Sequence, residues 1–185
     1  MRIFVTVGTH EDPFDRLVLA AQRLAEAGHE VRIQRGTSVA DAPDCTSAPT
    51  LSSEEMEDAF AWADVVIAHG GPSTLVEAAA HGHVPILVPR RAVCGEHVDD
   101  HQLWFSRRIA SRVHVVEDPE TLVAEVARHA ERSTELDSFG PDRGRTLQFA
   151  RDLEALCETL VAEGPPSRRG RGRLRALMRW VRRSR

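Results

Sequence analysis

Along most of the chain, short apolar runs alternate with stretches in which apolar residues recur every three or four positions. Residues 2–7 form an apolar, β-branched run closed by Gly8 and Thr9. Behind Pro13, residues Phe14, Leu17, Val18, Ala21, Leu24 and Ala25 follow at helical spacing. Gly28 stops that helix, Glu30-Val31-Arg32-Ile33-Gln34 reads as a second strand ended by Gly36, and a short strand is expected near 48–51. Ser52 or Ser53 opens the next helix, whose acidic first turn suits the positive end of the helix dipole, and the helix should end near Ala63. Asp64-Val65-Val66-Ile67-Ala68 is a continuous apolar segment of the kind buried on both faces in parallel sheets. The Gly70-Gly71 turn, Pro72 at a first helical position and Gly82 at the far end bracket a helix reaching His81. A strand at 85–88, a helix at 99–110, a strand at 113–116 and helices at 119–131 and 145–162 complete the pattern. The alternation predicts an α/β fold, a doubly wound parallel sheet covered by helices on both faces. It assigns residues 1–163 to that domain and sets 164–185 apart behind the breaker Gly164-Pro165-Pro166-Ser167.

Composition narrows this picture. A chain of 185 residues holds one well-buried domain and is too short for an enzyme with two lobes. Apolar residues at 42% and charged residues at 28% describe a soluble globular protein, and no apolar run approaches the roughly 18 residues that span a bilayer. The opening segment lacks the pattern of a secretory signal, so a cytoplasmic location is expected. All the basic residues are arginine, which closes every mechanism that needs a lysine, such as a Walker A loop or a Schiff base. Cys45, Cys94 and Cys157 are an odd, scattered set that reads as reduced thiols. The net charge of −4 conceals a division: nine of the 24 basic residues fall in 165–185, which holds no acid, so the first 164 residues carry 15 basic against 28 acidic groups, a charge of −13.

Ligands of open parallel sheets sit at the carboxyl ends of strands, where loops lead into helix N-termini. Two such loops carry glycine: Gly8-Thr9-His10 and His69-Gly70-Gly71-Pro72-Ser73-Thr74. The second offers backbone N–H groups at a helix start, the hydroxyls of Ser73 and Thr74, and His69 at the strand end, a set suited to a diphosphate. Alone, it reads equally as a structural tight turn, and it lacks the GxGxxG spacing of dinucleotide folds. Glu77, one helical turn beyond Ser73, places a carboxylate where it can accept both ribose hydroxyls of a nucleotide resting on the turn, although a solvated helix glutamate is the alternative.

The run from His69 through Glu77, His81-Gly82 and Pro89 to Glu96-His97-Val98-Asp99-Asp100-His101-Gln102 resembles the nucleotide-sugar half of GT-B glycosyltransferases, a family 28 C-terminal-type domain. Within that fold it is most similar to the single-lobe catalytic subunits of two-component exopolysaccharide and lipid-linked-oligosaccharide glycosyltransferases. Phe4-Val5-Thr6-Val7-Gly8-Thr9-His10 and Pro13-Phe14-Asp15-Arg16-Leu17 fit the same subunits. The resemblance covers about residues 1–160. It implies a Rossmann-like lobe in which His69, Gly70, Gly71, Ser73 and Thr74 hold the diphosphate of a UDP-sugar, Glu77 takes the ribose, Asp100, His101 and Gln102 read the sugar hydroxyls, and Gly8 and Thr9 close over the diphosphate. It implies further a lipid-linked acceptor, a separate membrane-anchored subunit supplying the acceptor lobe, and a place at the inner membrane face.

Departure of UDP needs charge stabilisation, which the helix dipole, hydroxyls and loop N–H groups supply without a metal or cofactor. A base must also deprotonate the acceptor; it comes from the acceptor lobe or, within this chain, from His10. A zinc site at Cys94, His97 and His101 beside His81 and His83 is disfavoured, because the spacing matches no strong pattern. In the tail, Leu174, Leu177, Met178 and Val181 fall on one side of a short helix among arginines, which suits an anionic membrane surface. A disordered solubilising tail and a helix that docks an acidic partner are the alternatives. Nucleic acid is disfavoured by the acidic body. A non-catalytic nucleotide-binding accessory subunit is the competing reading of the whole chain, and an epimerase of this architecture is disfavoured by length.

Overall fold

A computed structural model describes residues 1–135 together with Asp152 and Ala155, which are helical. Strands β1 (Arg2–Thr6), β2 (Glu30–Gln34), β3 (Thr46–Ala48), β4 (Val65–His69), β5 (Ile86–Val88) and β6 (His114–Val115) form one sheet. They run parallel in the order β3-β2-β1-β4-β5-β6. Helices α1 (Asp15–Glu26), α2 (Ser53–Trp62), α3 (Pro72–Ala80), α4 (His101–Arg108) and α5 (Leu122–Glu135) make the connections. Successive strand residues face opposite ways, so each strand feeds two layers. Ile3, Val5 and Val7 pack with Leu17 and Leu24 of α1 and Leu122 and Val126 of α5. Phe4 and Val66 turn to the other face, where they meet Phe60 of α2 and Ala78 of α3. Phe4 and Phe60 pack edge to face at 5.3 Å. Burial on both faces is why the strands read as unbroken apolar runs. The fold is the expected doubly wound α/β sheet.

From β1 the chain builds outward through β2 and β3, and from β4 through β5 and β6 in the opposite direction. The reversal lies between the adjacent strands β1 and β4, so the two glycine loops that follow them flank one crevice, the usual ligand position in open α/β sheets.

Local chemistry explains where boundaries agree with the sequence reading and where they shift. β2 lies where expected. Ser52 caps α2: its hydroxyl accepts Glu55 N–H at 3.2 Å while the Glu55 carboxylate accepts Ser52 N–H at 2.6 Å, a capping box that contributes about 1 kcal/mol. β3 falls at Thr46–Ala48 rather than 48–51, because its pairing stops where Gln34 meets Ala48 and Pro49 follows. α4 starts at His101 rather than Asp99, since the Asp99 carboxylate takes the His101 N–H at 3.1 Å and Asp100 takes the Ala92 N–H at 2.8 Å. Pro119–Thr121 forms a 3-10 turn ahead of α5, stabilised by Asp118 accepting Glu120 N–H at 3.1 Å. The expected helix at 145–162 and the arginine-rich segment at 164–185 lie outside the described residues, apart from Asp152 and Ala155. No described helix is long and apolar enough to cross a membrane.

Candidate functional site

The turn after β1 is built around Gly8, whose φ of 79° is a left-handed conformation. Gln34, at the end of β2, holds it. Its carboxamide oxygen accepts the Thr6 hydroxyl at 2.6 Å and Gly8 N–H at 3.2 Å, while its nitrogen donates to the carbonyls of Gly8 at 3.1 Å and Pro49 at 3.0 Å. Gly8 N–H is therefore engaged within the protein. Gln34 was not among the sequence candidates; its one signal is an amide at the end of a buried strand.

His69 ends β4, and its imidazole occupies a slot between Gly8 and Gly71. A Cβ on Gly8 would stand 2.5 Å from His69 Cε1, and one on Gly71 would collide with Nε2. Gly70 faces α4, where a Cβ would lie 2.8 Å from Ser106 Oγ and 3.0 Å from the Gln102 carbonyl. All three glycines are thus demanded by close approach. Burial, followed by the charge of Arg90, pushes the His69 pKa down to about 4 against the pull of the Thr6 carbonyl, so the ring is neutral at physiological pH. Its Nδ1 is buried without a hydrogen-bond partner.

α3 leaves this turn with Pro72 in its first turn and its N-terminus toward the crevice. Ser73 and Glu77 share an exposed side, whereas Thr74 is buried with Leu75 and Ala78. The structure therefore separates Thr74 from the two residues with which the sequence grouped it. Partial burial raises the Glu77 pKa, with His81 opposing.

The segment between β5 and α4 closes the crevice through a buried charge network. Arg90 is fully buried, and Glu96 is 4% exposed. Arg16 grips the Glu96 carboxylate in a fork, Nε to Oε1 at 2.8 Å and Nη2 to Oε2 at 2.9 Å, and Arg91 N–H adds a third bond at 2.9 Å. Arg90 itself bonds only to carbonyls, of Asp12 at 2.7 Å and of Val7 and Glu96 at 2.9 Å, with a longer contact to Pro13 at 3.4 Å. Arg90 and Arg91 were absent from the sequence reading, because arginines beside a strand end look like ordinary surface residues.

Three imidazoles line the same edge. The rings of His10 and His97 lie 4.1 Å apart, and those of His97 and His101 4.5 Å apart. Asp12 N–H lies 3.1 Å from His10 Nδ1, and the Asp12 carboxylate lies 3.4 Å from the same nitrogen. His101 Nδ1 meets the Asp99 carboxylate, which puts the lone pair of the neutral ring on Nε2. Burial disfavours the charged Asp99, but the side-chain and backbone hydrogen bonds from His101, together with the charges of His101 and His97, outweigh it and lower the Asp99 pKa. The Asp100 carboxylate takes Ala92 N–H, and buried Gln102 accepts Arg90 N–H at 3.3 Å, so both are partly committed to holding this segment. Among the described residues, His97, Asp99 and His101 form the one set whose ligand atoms lie within 4.8 Å of one another. Cys94 is not in it, and His81 and His83 bond instead to the carbonyls of Glu77 at 2.9 Å and Phe60 at 2.7 Å. Of the five residues of the zinc reading, His97 and His101 are brought together, with Asp99, and Cys94, His81 and His83 stand outside that set.

Acid should expose the cost of these buried rings. His69, His97 and His129 are each held at about 4, first by burial, against an ordinary 6.5. The unfolded chain therefore binds protons the folded chain refuses. Their contribution to stability is fully present above pH 6.5 and is lost as the pH falls through that value toward 4. Urea midpoints measured from pH 7.5 to pH 4.5 should fall most steeply below 6.5. A flat profile down to pH 5 would contradict this.

The profile of the glycosyltransferase family 28 C-terminal domain matches residues 2–153. The chain belongs to this family. Over 152 residues, 76% of this chain, it is 32% identical to the UDP-N-acetylglucosamine–N-acetylmuramyl-(pentapeptide) pyrophosphoryl-undecaprenol N-acetylglucosamine transferase of Xanthomonas campestris pv. campestris (strain 8004), covering 33% of that protein. The transferase of the same name from Bdellovibrio bacteriovorus is 34% identical over 88 residues, 44% of this chain and 23% of that protein. The family 28 domain thus spans a third or less of these two relatives' length. Among solved structures, a calicheamicin glycosyltransferase superposes with a TM-score of 0.59 at 17% identity over 89% of this chain and 43% of the other. Acinetobacter baumannii MurG gives 0.52 at 20% identity over 83% and 49%. Both share the fold of the family 28 domain.

Proposed function

We propose that this family 28 domain is the donor-binding, catalytic lobe of a glycosyltransferase that moves a hexosyl unit from a UDP-sugar to a lipid-linked acceptor. The observation that carries the reading is the crevice at the sheet's reversal point. There the His69 slot, the N-terminus of α3 and the exposed pair Ser73 and Glu77 stand together. A diphosphate placed at this helix start receives the dipole and loop N–H groups, with Glu77 one turn farther on for the ribose. Thr9 and His10 follow β1, and Asp100, His101 and Gln102 stand at the start of α4 beyond β5, where the proposal has them meet the donor. The names of the relatives support a UDP-sugar donor and a pyrophosphoryl-polyprenol acceptor. For the base, this chain offers His10 and also His101, which Asp99 orients; the alternative is a base from the acceptor lobe.

The finer reading is that residues 1–163 work with a membrane-anchored acceptor-lobe subunit in polysaccharide synthesis at the inner membrane face. The arginine-rich segment 164–185 would hold the lobe against anionic lipid. The test is calorimetric titration of the purified chain with UDP and a panel of UDP-sugars, followed by transfer assays with membranes containing a candidate partner. UDP and at least one UDP-sugar should bind, and transfer should disappear in Glu77→Ala. Binding without transfer, or transfer indifferent to Glu77→Ala, would point to an accessory subunit. No binding of any UDP compound overturns the reading.

A further inference from the structure

Arg90 is a buried cation that makes no ion pair among the described residues. It is fully buried, and among the described residues no carboxylate lies within ion-pair distance of it. The two carboxylates whose charge reaches it, those of Glu96 and Asp12, belong to residues that offer Arg90 only a backbone carbonyl, and both carboxylate oxygens of Glu96 are taken by Arg16 and the Arg91 N–H. The remaining partners of the guanidinium are backbone carbonyls and the Phe14 ring, 4.9 Å away. Carbonyl dipoles take up the Nη1 and Nη2 donors, while Nε is buried without a partner; the net positive charge stays in place, and in a poorly polarisable interior it acts over a longer range than at the surface. Burying such a charge is costly, so its retention asks for a use.

Its position supplies one. Arg90 Nη2 bonds the carbonyl of Val7, the residue that leads into Gly8, and Gly8 forms one wall of the His69 slot. The charge therefore sits immediately behind the turn that borders the crevice. It is felt there: after burial, Arg90 is the largest contributor to keeping His69 unprotonated. A field that opposes a proton on His69 favours an anion in front of it. The need is real, since residues 1–164 carry −13 and the chain has no lysine.

We propose that Arg90 is a positioning residue for the donor diphosphate, its buried guanidinium supplying, from behind the Val7-Gly8 turn and without touching the ligand, the positive charge that draws the diphosphate into the crevice. This rests on the donor-lobe reading above. A residue that merely props up the loops affects every ligand of the crevice alike, whereas a charge acts in proportion to the number of phosphates.

The experiment is competition calorimetry on the full chain with UDP, UMP and uridine, for wild type, Arg90→Met and Arg90→Lys. Arg90→Met should weaken UDP by about tenfold or more, UMP by less, and uridine by under about twofold. Arg90→Lys, which keeps the charge but loses most of the hydrogen bonds, should retain the preference for UDP over uridine despite a lower stability. If Arg90→Met does not fold, Arg90→Lys decides the matter by whether that preference survives. Equal losses for UDP and uridine, an Arg90→Met that binds UDP like wild type, or a folded Arg90→Lys without the preference each overturn the proposal. Failure of wild type to bind UDP overturns the donor-lobe reading and this inference with it.

Discussion

Gly71→Ala is expected to lower stability by about 1–3 kcal/mol and to abolish binding of UDP compounds. The backbone at Gly71 is extended, with φ of −83°, so alanine is conformationally acceptable there and the whole cost is steric. The new methyl would enter the space of His69 Nε2 and approach Cδ2 to 3.0 Å. The ring cannot retreat, because its other side is against Gly8. Gly8→Ala should cost more, since φ of 79° adds about 1–2 kcal/mol to a similar clash. The His69→Ala background separates the two costs. Removing the ring should erase the penalty of Gly71→Ala while leaving the backbone part of Gly8→Ala. Urea denaturation of the singles and doubles gives the coupling directly. Additive costs for Gly71→Ala and His69→Ala would show that the slot does not exist as described.

Glu96→Ala is expected to be the most damaging change outside the glycines, at about 3–5 kcal/mol. It strips Arg16 of a forked carboxylate and orphans the half-buried Arg91 N–H. It also frees the segment carrying His97 and His101 from α1, to which Arg16 ties it. Arg16 would keep its bonds to the carbonyls of Glu117 at 3.0 Å and Pro89 at 3.2 Å, so an unneutralised, half-buried charge would remain. The double replacement Arg16→Met with Glu96→Leu should therefore cost less than Glu96→Ala alone. Hydrogen exchange should quicken across residues 90–100 in the single variant. A loss below about 1 kcal/mol would mean the pair is solvated and structurally idle.

Legibility in the sequence followed the range of the interaction. The strands, the Ser52 cap, the Gly70-Gly71 turn and the doubly wound order were readable, because periodicity, capping and glycine punctuation are written into neighbouring positions. Thr74 was grouped with Ser73 and Glu77 because adjacency suggested a common role, yet a helix turns about 100° per residue and carries Thr74 to the buried side. Arg16 and Glu96 stand 80 residues apart, and Gln34 and Gly8 are 26 apart. Nothing local marks either pair. Arg90 was invisible for a different reason: the prior that arginine lies outside is strong, and only the three-dimensional cage of carbonyls reverses it.

Gln34 joins the Gly8 turn to Pro49, just ahead of the Ser52 cap, and Arg90 joins the end of β1 to the far side of the crevice. Each of these ties closes within the described domain. The floor of the crevice is consequently a self-contained part, held by bonds that close inside this domain. On the proposed donor-lobe function, such a part can be transplanted: joined to a different acceptor lobe, it should carry its donor preference along unchanged.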